Sequence, residues 1–122
     1  MKRACLNGAA ALLVLMAAAG AARADQYAAI AYSQSTGAIG WSYGCCSQAE
    51  AEDLALQNCD GDDAQIVTWA RNAYCAIALG DDDGAYGAAW GVCQAEAERR
   101  ALAECGKSTT GCYIARWVFS GE

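Results

Sequence analysis

Two stretches of strict alternation set the frame of this chain. From Ala38 to Tyr43, Ile39, Trp41 and Tyr43 fall on one face while Ala38, Gly40 and Ser42 fall on the other, the period of a β-strand. From Ala85 to Trp90 the same pattern returns, with Tyr86, Ala88 and Trp90 against Ala85, Gly87 and Ala89. After each stretch the period lengthens. Ala51, Ala55 and Cys59 share one stripe at i, i+4 and i+8, as do Ala97, Ala101 and Cys105, which predicts helices over about Gln48 to Asn58 and about Gln94 to Glu104. Ser47, with Glu50 three residues on, reads as a capping box for the first helix. A short β-compatible run, Tyr27 to Tyr32, precedes a Gln34-Ser35-Thr36-Gly37 turn, and third strands are expected at Gln65 to Arg71 and Tyr113 to Phe119.

The same order of elements thus occurs twice. Tyr27-Ala-Ala-Ile-Ala31 matches Tyr74-Cys-Ala-Ile-Ala78, and Gly37-Ala-Ile-Gly40 matches Gly84-Ala-Tyr-Gly87. Ala49-Glu-Ala-Glu52 matches Ala95-Glu-Ala-Glu98, Cys59 matches Cys105, and Ile66 and Trp69 match Ile114 and Trp117. Two copies are too few for a solenoid, which needs at least about three. The chain is read as an α+β domain of two tandem β-β-α-β repeats, 27–72 and 74–120, related by a pseudo-twofold axis, with small antiparallel sheets and two helices.

Packing follows from side-chain size. An alanine stripe on a helix and a Gly/Ala face on a strand both permit close approach, so helix and sheet form one layer pair. The aromatic face needs another cover, which the second sheet supplies through Trp41, Trp90, Ile39 and Tyr86. If Arg71-Asn72 makes a tight turn, the third strand of one unit pairs with the first strand of the next, and Tyr113 to Phe119 lies beside Tyr27 to Tyr32.

The N-terminus changes the chemistry expected of the cysteines. Lys2 and Arg3, the apolar run Ala9 to Ala19 and the Ala22-Arg23-Ala24 cleavage pattern read as a secretory signal peptide over 1–24. The apolar run falls short of the roughly 20 residues that span a bilayer. Export to the periplasm or beyond is therefore expected, with no membrane span after cleavage. The mature chain keeps seven cysteines, and in an oxidising compartment these read as bridges stapling a small core. Candidate pairs are Cys105 with Cys112, Cys59 with Cys75, and Cys93 with Cys45 or Cys46; of these two Cys46 is taken for the bridge, leaving Cys45 as the candidate free thiol.

Composition removes whole classes of function. The 122-residue, 12.6 kDa chain has no histidine, so Ser-His-Asp and Cys-His catalysis and every His-containing metal site are excluded. It has 14 acidic against 8 basic residues and no basic patch, which argues against nucleic acid. The Asp60-Gly-Asp-Asp63 and Asp81-Asp-Asp-Gly84 loops lack the EF-hand pattern and read as solvated turns. No paired Cys-x₂-Cys spacing supports zinc, and no cofactor loop appears, so no metal or cofactor is expected. Glu50, Glu52, Glu96 and Glu98 sit in first helical turns, where negative charge suits the helix dipole, rather than as a catalytic carboxylate pair.

The residues Tyr27 to Ala31, the Ser35-Thr-Gly-Ala-Ile-Gly-Trp-Ser42 run, the Ala-Glu-Ala-Glu helices and the cysteines at their ends resemble the domain-of-unknown-function 4189 family over 27 to 120. The resemblance implies a small, exported, cysteine-containing bacterial protein and brings no catalytic residues. The chain departs from the family pattern at Ala64 and Phe119, which stand where many relatives carry cysteines, and at the added cysteines 45, 46 and 93.

Four Trp and six Tyr are an enrichment whose exposed members would make an adhesive seam between the halves. The first expectation is a non-catalytic, disulfide-stabilised module that is not an enzyme and binds a protein partner through Trp41, Tyr43, Trp90 and Trp117. The second is a redox protein using Cys45 or Cys46, whose place at a helix N-terminus would lower a thiol pKa. The third is glycan or peptidoglycan binding through exposed aromatic rings.

Overall fold

The computed structural model describes residues 24–121, so the expected leader lies, but for Ala24, outside the described residues. Eight elements follow in order: β1 (Tyr27–Tyr32), β2 (Ile39–Cys45), α1 (Gln48–Gln57), β3 (Gln65–Arg71), β4 (Tyr74–Leu79), β5 (Tyr86–Gly91), α2 (Gln94–Gly106) and β6 (Tyr113–Phe119). They build an α+β fold of two three-stranded antiparallel sheets, ordered β2-β1-β3 and β5-β4-β6, each carrying one helix. None of the helices among the described residues is long and apolar enough to cross a membrane.

The layering follows from the central strands. β1 turns Ala28, Ile30 and Tyr32 toward the other sheet and Ala29 and Ala31 toward α1. β4 repeats this, with Cys75 and Ile77 inward and Ala76 and Ala78 under α2. The order is helix, sheet, sheet, helix, with the large side chains concentrated between the sheets and alanine under the helices. Burying Ile30 and Ile77 completely stabilises the fold by roughly 1.5–3 kcal/mol each.

The alanine layers permit an unusually close helix–sheet approach. A methyl group added at Gly40 would overlap the Ala55 carbonyl and the Cys59 amide, and one at Gly87 would overlap the Ala101 carbonyl and the Cys105 amide. The expected pairing of the alanine stripes with the Gly/Ala faces of the strands therefore holds in both halves.

Strand order departs from expectation. β3 pairs with β1 and β6 with β4, each within its own half. The crossover from β2 through α1 passes over β1 and delivers β3 to the open edge of β1. Arg71-Asn72 does not reverse the chain within a sheet. Asn72, in the left-handed region at φ 51°, passes it on to the second sheet, and its amide donates to the Gln26 carbonyl at 2.9 Å.

β2 and β5 are edge strands, and the expected core holds only in part. Ile39, Trp41 and Tyr86 pack at the margin of the inter-sheet core, but Trp90 does not. It is 49% exposed, with the Arg100 guanidinium 5.9 Å from its ring centre.

Two of the expected cysteine pairings also fail. Cys105 and Cys112 are bridged across the loop joining α2 to β6, with Cα atoms 6.2 Å apart. Cys59 and Cys75 are free thiols, because Cys59 packs under α1 and Cys75 lies between the sheets, on opposite faces of the first sheet. Cys46 is free and exposed, so it is not bridged to Cys93. The two helices sit on opposite outer faces and do not touch, which keeps their N-termini apart. Cys45 is free as expected, but buried.

Candidate functional site

Edge strands bring the aromatic residues together. β2 carries Trp41 and Tyr43 toward β6 of the other sheet, and the two strands flank an open groove of about 690 Å³. Its long wall is a continuous run of β6, Ile114 to Phe119, and Tyr74 and Gln94 complete it. Tyr43 is 54% and Trp117 42% exposed. The Tyr74 ring lies 4.6 Å from Phe119 and 6.1 Å from Trp117, centre to centre, so these three form one continuous apolar surface.

Arg116 is the charged residue of this groove. Its guanidinium lies 3.7 Å from the centre of the Trp41 ring, a cation–π contact joining the two sheets. Among the described residues no salt bridge or hydrogen bond engages it. Three of the other described basic residues are paired: Arg71 faces Asp25 at 3.9 Å, Arg100 faces Glu96 at 3.3 Å and Lys107 faces Glu104 at 3.0 Å, while exposed Arg99, outside the groove, is not. The groove lining contains no aspartate or glutamate, in a chain where acids outnumber bases 14 to 8.

A related groove of about 550 Å³ runs along β3, lined by Val67 to Arg71 and Trp90. The four expected surface residues are thus divided. Trp41, Tyr43 and Trp117 share the first groove, and Trp90 belongs to the second with Trp69. Arg116, Tyr74 and Phe119 were not anticipated. The available signal was a single arginine on an otherwise apolar strand.

The edges of the sheets are not equivalent. On β2, the Trp41 carbonyl accepts from Asn58 Nδ2 at 3.1 Å; on β5, the Trp90 carbonyl accepts from Arg100 Nη1 at 3.1 Å. Helix side chains thus occupy those edges. Among the described residues no side chain bonds to the backbone of β6 from Tyr113 to Phe119, which pairs with β4 alone, and the same holds for β3, the remaining edge, which pairs with β1 alone.

The remaining candidates have structural partners. Ser47 Oγ accepts from the Glu50 amide at 3.1 Å, the expected cap, while Glu50 Oε1 accepts from the Cys46 amide at 2.8 Å, one residue earlier than in the usual box. Glu96 does the same for the Val92 amide at 2.9 Å. Asp63 accepts from the hydroxyl of the buried Ser33 and from the Ser35 amide and hydroxyl, and these bonds hold its carboxyl below the ordinary carboxylate range. Burial pushes the Cys45 thiol up, and pushes Cys75 up to about 12.

A family model described as Domain of unknown function (DUF4189) matches residues 27–118. The chain belongs to that family. The DUF4189 match begins at β1 and ends one residue short of the end of β6, so all of the groove except Phe119 lies within the family domain. No curated protein and no solved structure matches the chain.

Proposed function

We propose that this chain is an exported, disulfide-stabilised, non-catalytic module that binds a protein partner through the groove between β2 and β6. The supporting observation is the groove itself: half-exposed Tyr43, Trp117 and Phe119 form a contiguous apolar patch at the seam of the sheets. Aromatic residues at such density are typical of interface anchors, because each removes a large apolar area from water at little cost in side-chain entropy. The Cys105–Cys112 bridge supports a structural role for that pair. Of Cys45 and Cys46, the two expected above for redox work, Cys45 is buried under α1 with its thiol pushed up, which opposes the thiolate that exchange chemistry needs, while Cys46 is free and exposed.

The test is a photo-crosslinking side chain at Tyr43 in cells that make the protein, with the same group at Leu56 on the exposed face of α1 as control. The reading expects a discrete adduct from Tyr43 that disappears in Trp117→Ala, and none from Leu56. Equal labelling from both positions, or an adduct indifferent to Trp117→Ala, overturns it.

A further inference from the structure

We infer that the groove along β6 takes an extended, carboxylate-bearing segment of the protein partner, which adds as a strand to the open edge of the sheet while Arg116 receives the carboxylate. This deepens the proposed function and rests on it. Three observations carry the inference.

The first is the edge. β2 and β5 have carbonyls occupied by Asn58 and Arg100, whereas among the described residues no side chain bonds to the backbone of β6. An uncovered edge presents N–H and C=O groups at strand spacing, the template that strand addition uses. The second is shape. The groove follows six consecutive β6 residues, so its length and direction suit a chain running beside the strand, and Trp117 and Phe119 offer alternate side-chain contacts along it.

The third is charge. Arg116 is exposed, stacked on Trp41 and without an anionic partner, and the lining holds no acid. The cation–π contact holds the guanidinium over the ring and uses none of its N–H donors, and an arginine with free donors binds carboxylate through two parallel bonds. The related groove along β3 lacks this combination, since its arginine, Arg71, already faces Asp25.

The experiment titrates the intact protein with a blocked peptide of alternating aspartate and valine, followed by tryptophan fluorescence and amide chemical shifts. The comparison peptides are its asparagine counterpart, its lysine counterpart, and the aspartate peptide methylated on alternate backbone nitrogens. An oligogalacturonate serves as an acidic glycan. The inference expects the aspartate peptide to bind about tenfold tighter than the asparagine one, with the difference shrinking as salt rises. It expects shifts along Tyr113–Phe119, and loss of binding on backbone methylation. Arg116→Gln should abolish the aspartate preference, and Arg116→Lys should restore part of it, with both variants checked for native melting. Equal binding of aspartate and asparagine peptides, retention after methylation, or tighter binding of the oligogalacturonate overturns the inference. So does concentration-dependent dimerisation through β6, which would make a second copy the occupant. If Arg116→Gln leaves the Tyr43 crosslink intact while Trp117→Ala removes it, the carboxylate reading fails and the aromatic groove stands. If neither affects the crosslink, the groove itself is not the binding surface.

Discussion

Gly40 on β2 lies so close to the Ala55 carbonyl of α1 that no side chain fits between them. Gly87 has the same relation to the Ala101 carbonyl of α2. Gly40→Ala and Gly87→Ala should each lower stability by about 3 kcal/mol, because the helix must lift from the sheet to admit one methyl group. Gly44→Ala is the control. Gly44 has open space around its Cβ position but a φ of 67°, so only left-handed strain is expected there, about 1 kcal/mol. Urea denaturation midpoints of the three variants check this ordering.

The Cys105–Cys112 bridge closes a short loop between α2 and β6. Replacing both cysteines with alanine should cost about 2.5 kcal/mol, chiefly by freeing the unfolded chain. Because β6 is also the wall of the groove, the same variant should broaden the amide resonances of Tyr113–Phe119. A variant with unchanged melting would show that the loop is held by other contacts, such as the Thr109 amide donating to the Cys105 carbonyl at 3.1 Å.

The free thiols differ in environment, and a maleimide should read the difference. Exposed Cys46 is expected to react quickly in the native protein, buried Cys45 and Cys59 slowly, and Cys75 only on global unfolding. The Cys75 thiol, pushed up to about 12, binds its proton more tightly folded than unfolded. The stability it contributes is fully present below the ordinary thiol value of 9.0 and is lost as pH rises from there toward 12. Cys75→Ala should flatten that alkaline limb of the pH–stability curve. Native labelling of Cys75 at the Cys46 rate would contradict its position between the sheets.

Asp63 titrates in the opposite sense. Bonds from Ser33 and Ser35 lower its pKa beneath the ordinary 3.8, so its contribution is present above that value and is lost as pH falls through the folded value. Asp63→Asn should leave stability less dependent on pH below about 4. Nitrogen-15 spectra should show the Ser35 amide, 3.0 Å from Asp63 Oδ2, shifting in the same acid range in the native protein and not in the variant.

Ile39-Gly-Trp-Ser-Tyr43 and the alanine stripes Ala51/Ala55 and Ala97/Ala101 were sufficient to place strands, helices and the close helix–sheet layers, because side-chain size and period are local properties. The short separation of Cys105 and Cys112 made their bridge legible for the same reason. Which edge of β1 receives β3 is not local: it depends on where the crossover through α1 lands. The packing of the two sheets left Trp90 in water instead of in the core, set Cys59 and Cys75 on opposite faces of a sheet, and brought Arg116 over Trp41 from 75 residues away in the chain. Local pattern determined what each segment becomes. Only the packed sheets decided which of its faces stays in water, since exposure belongs to the neighbours a strand acquires and not to the strand alone.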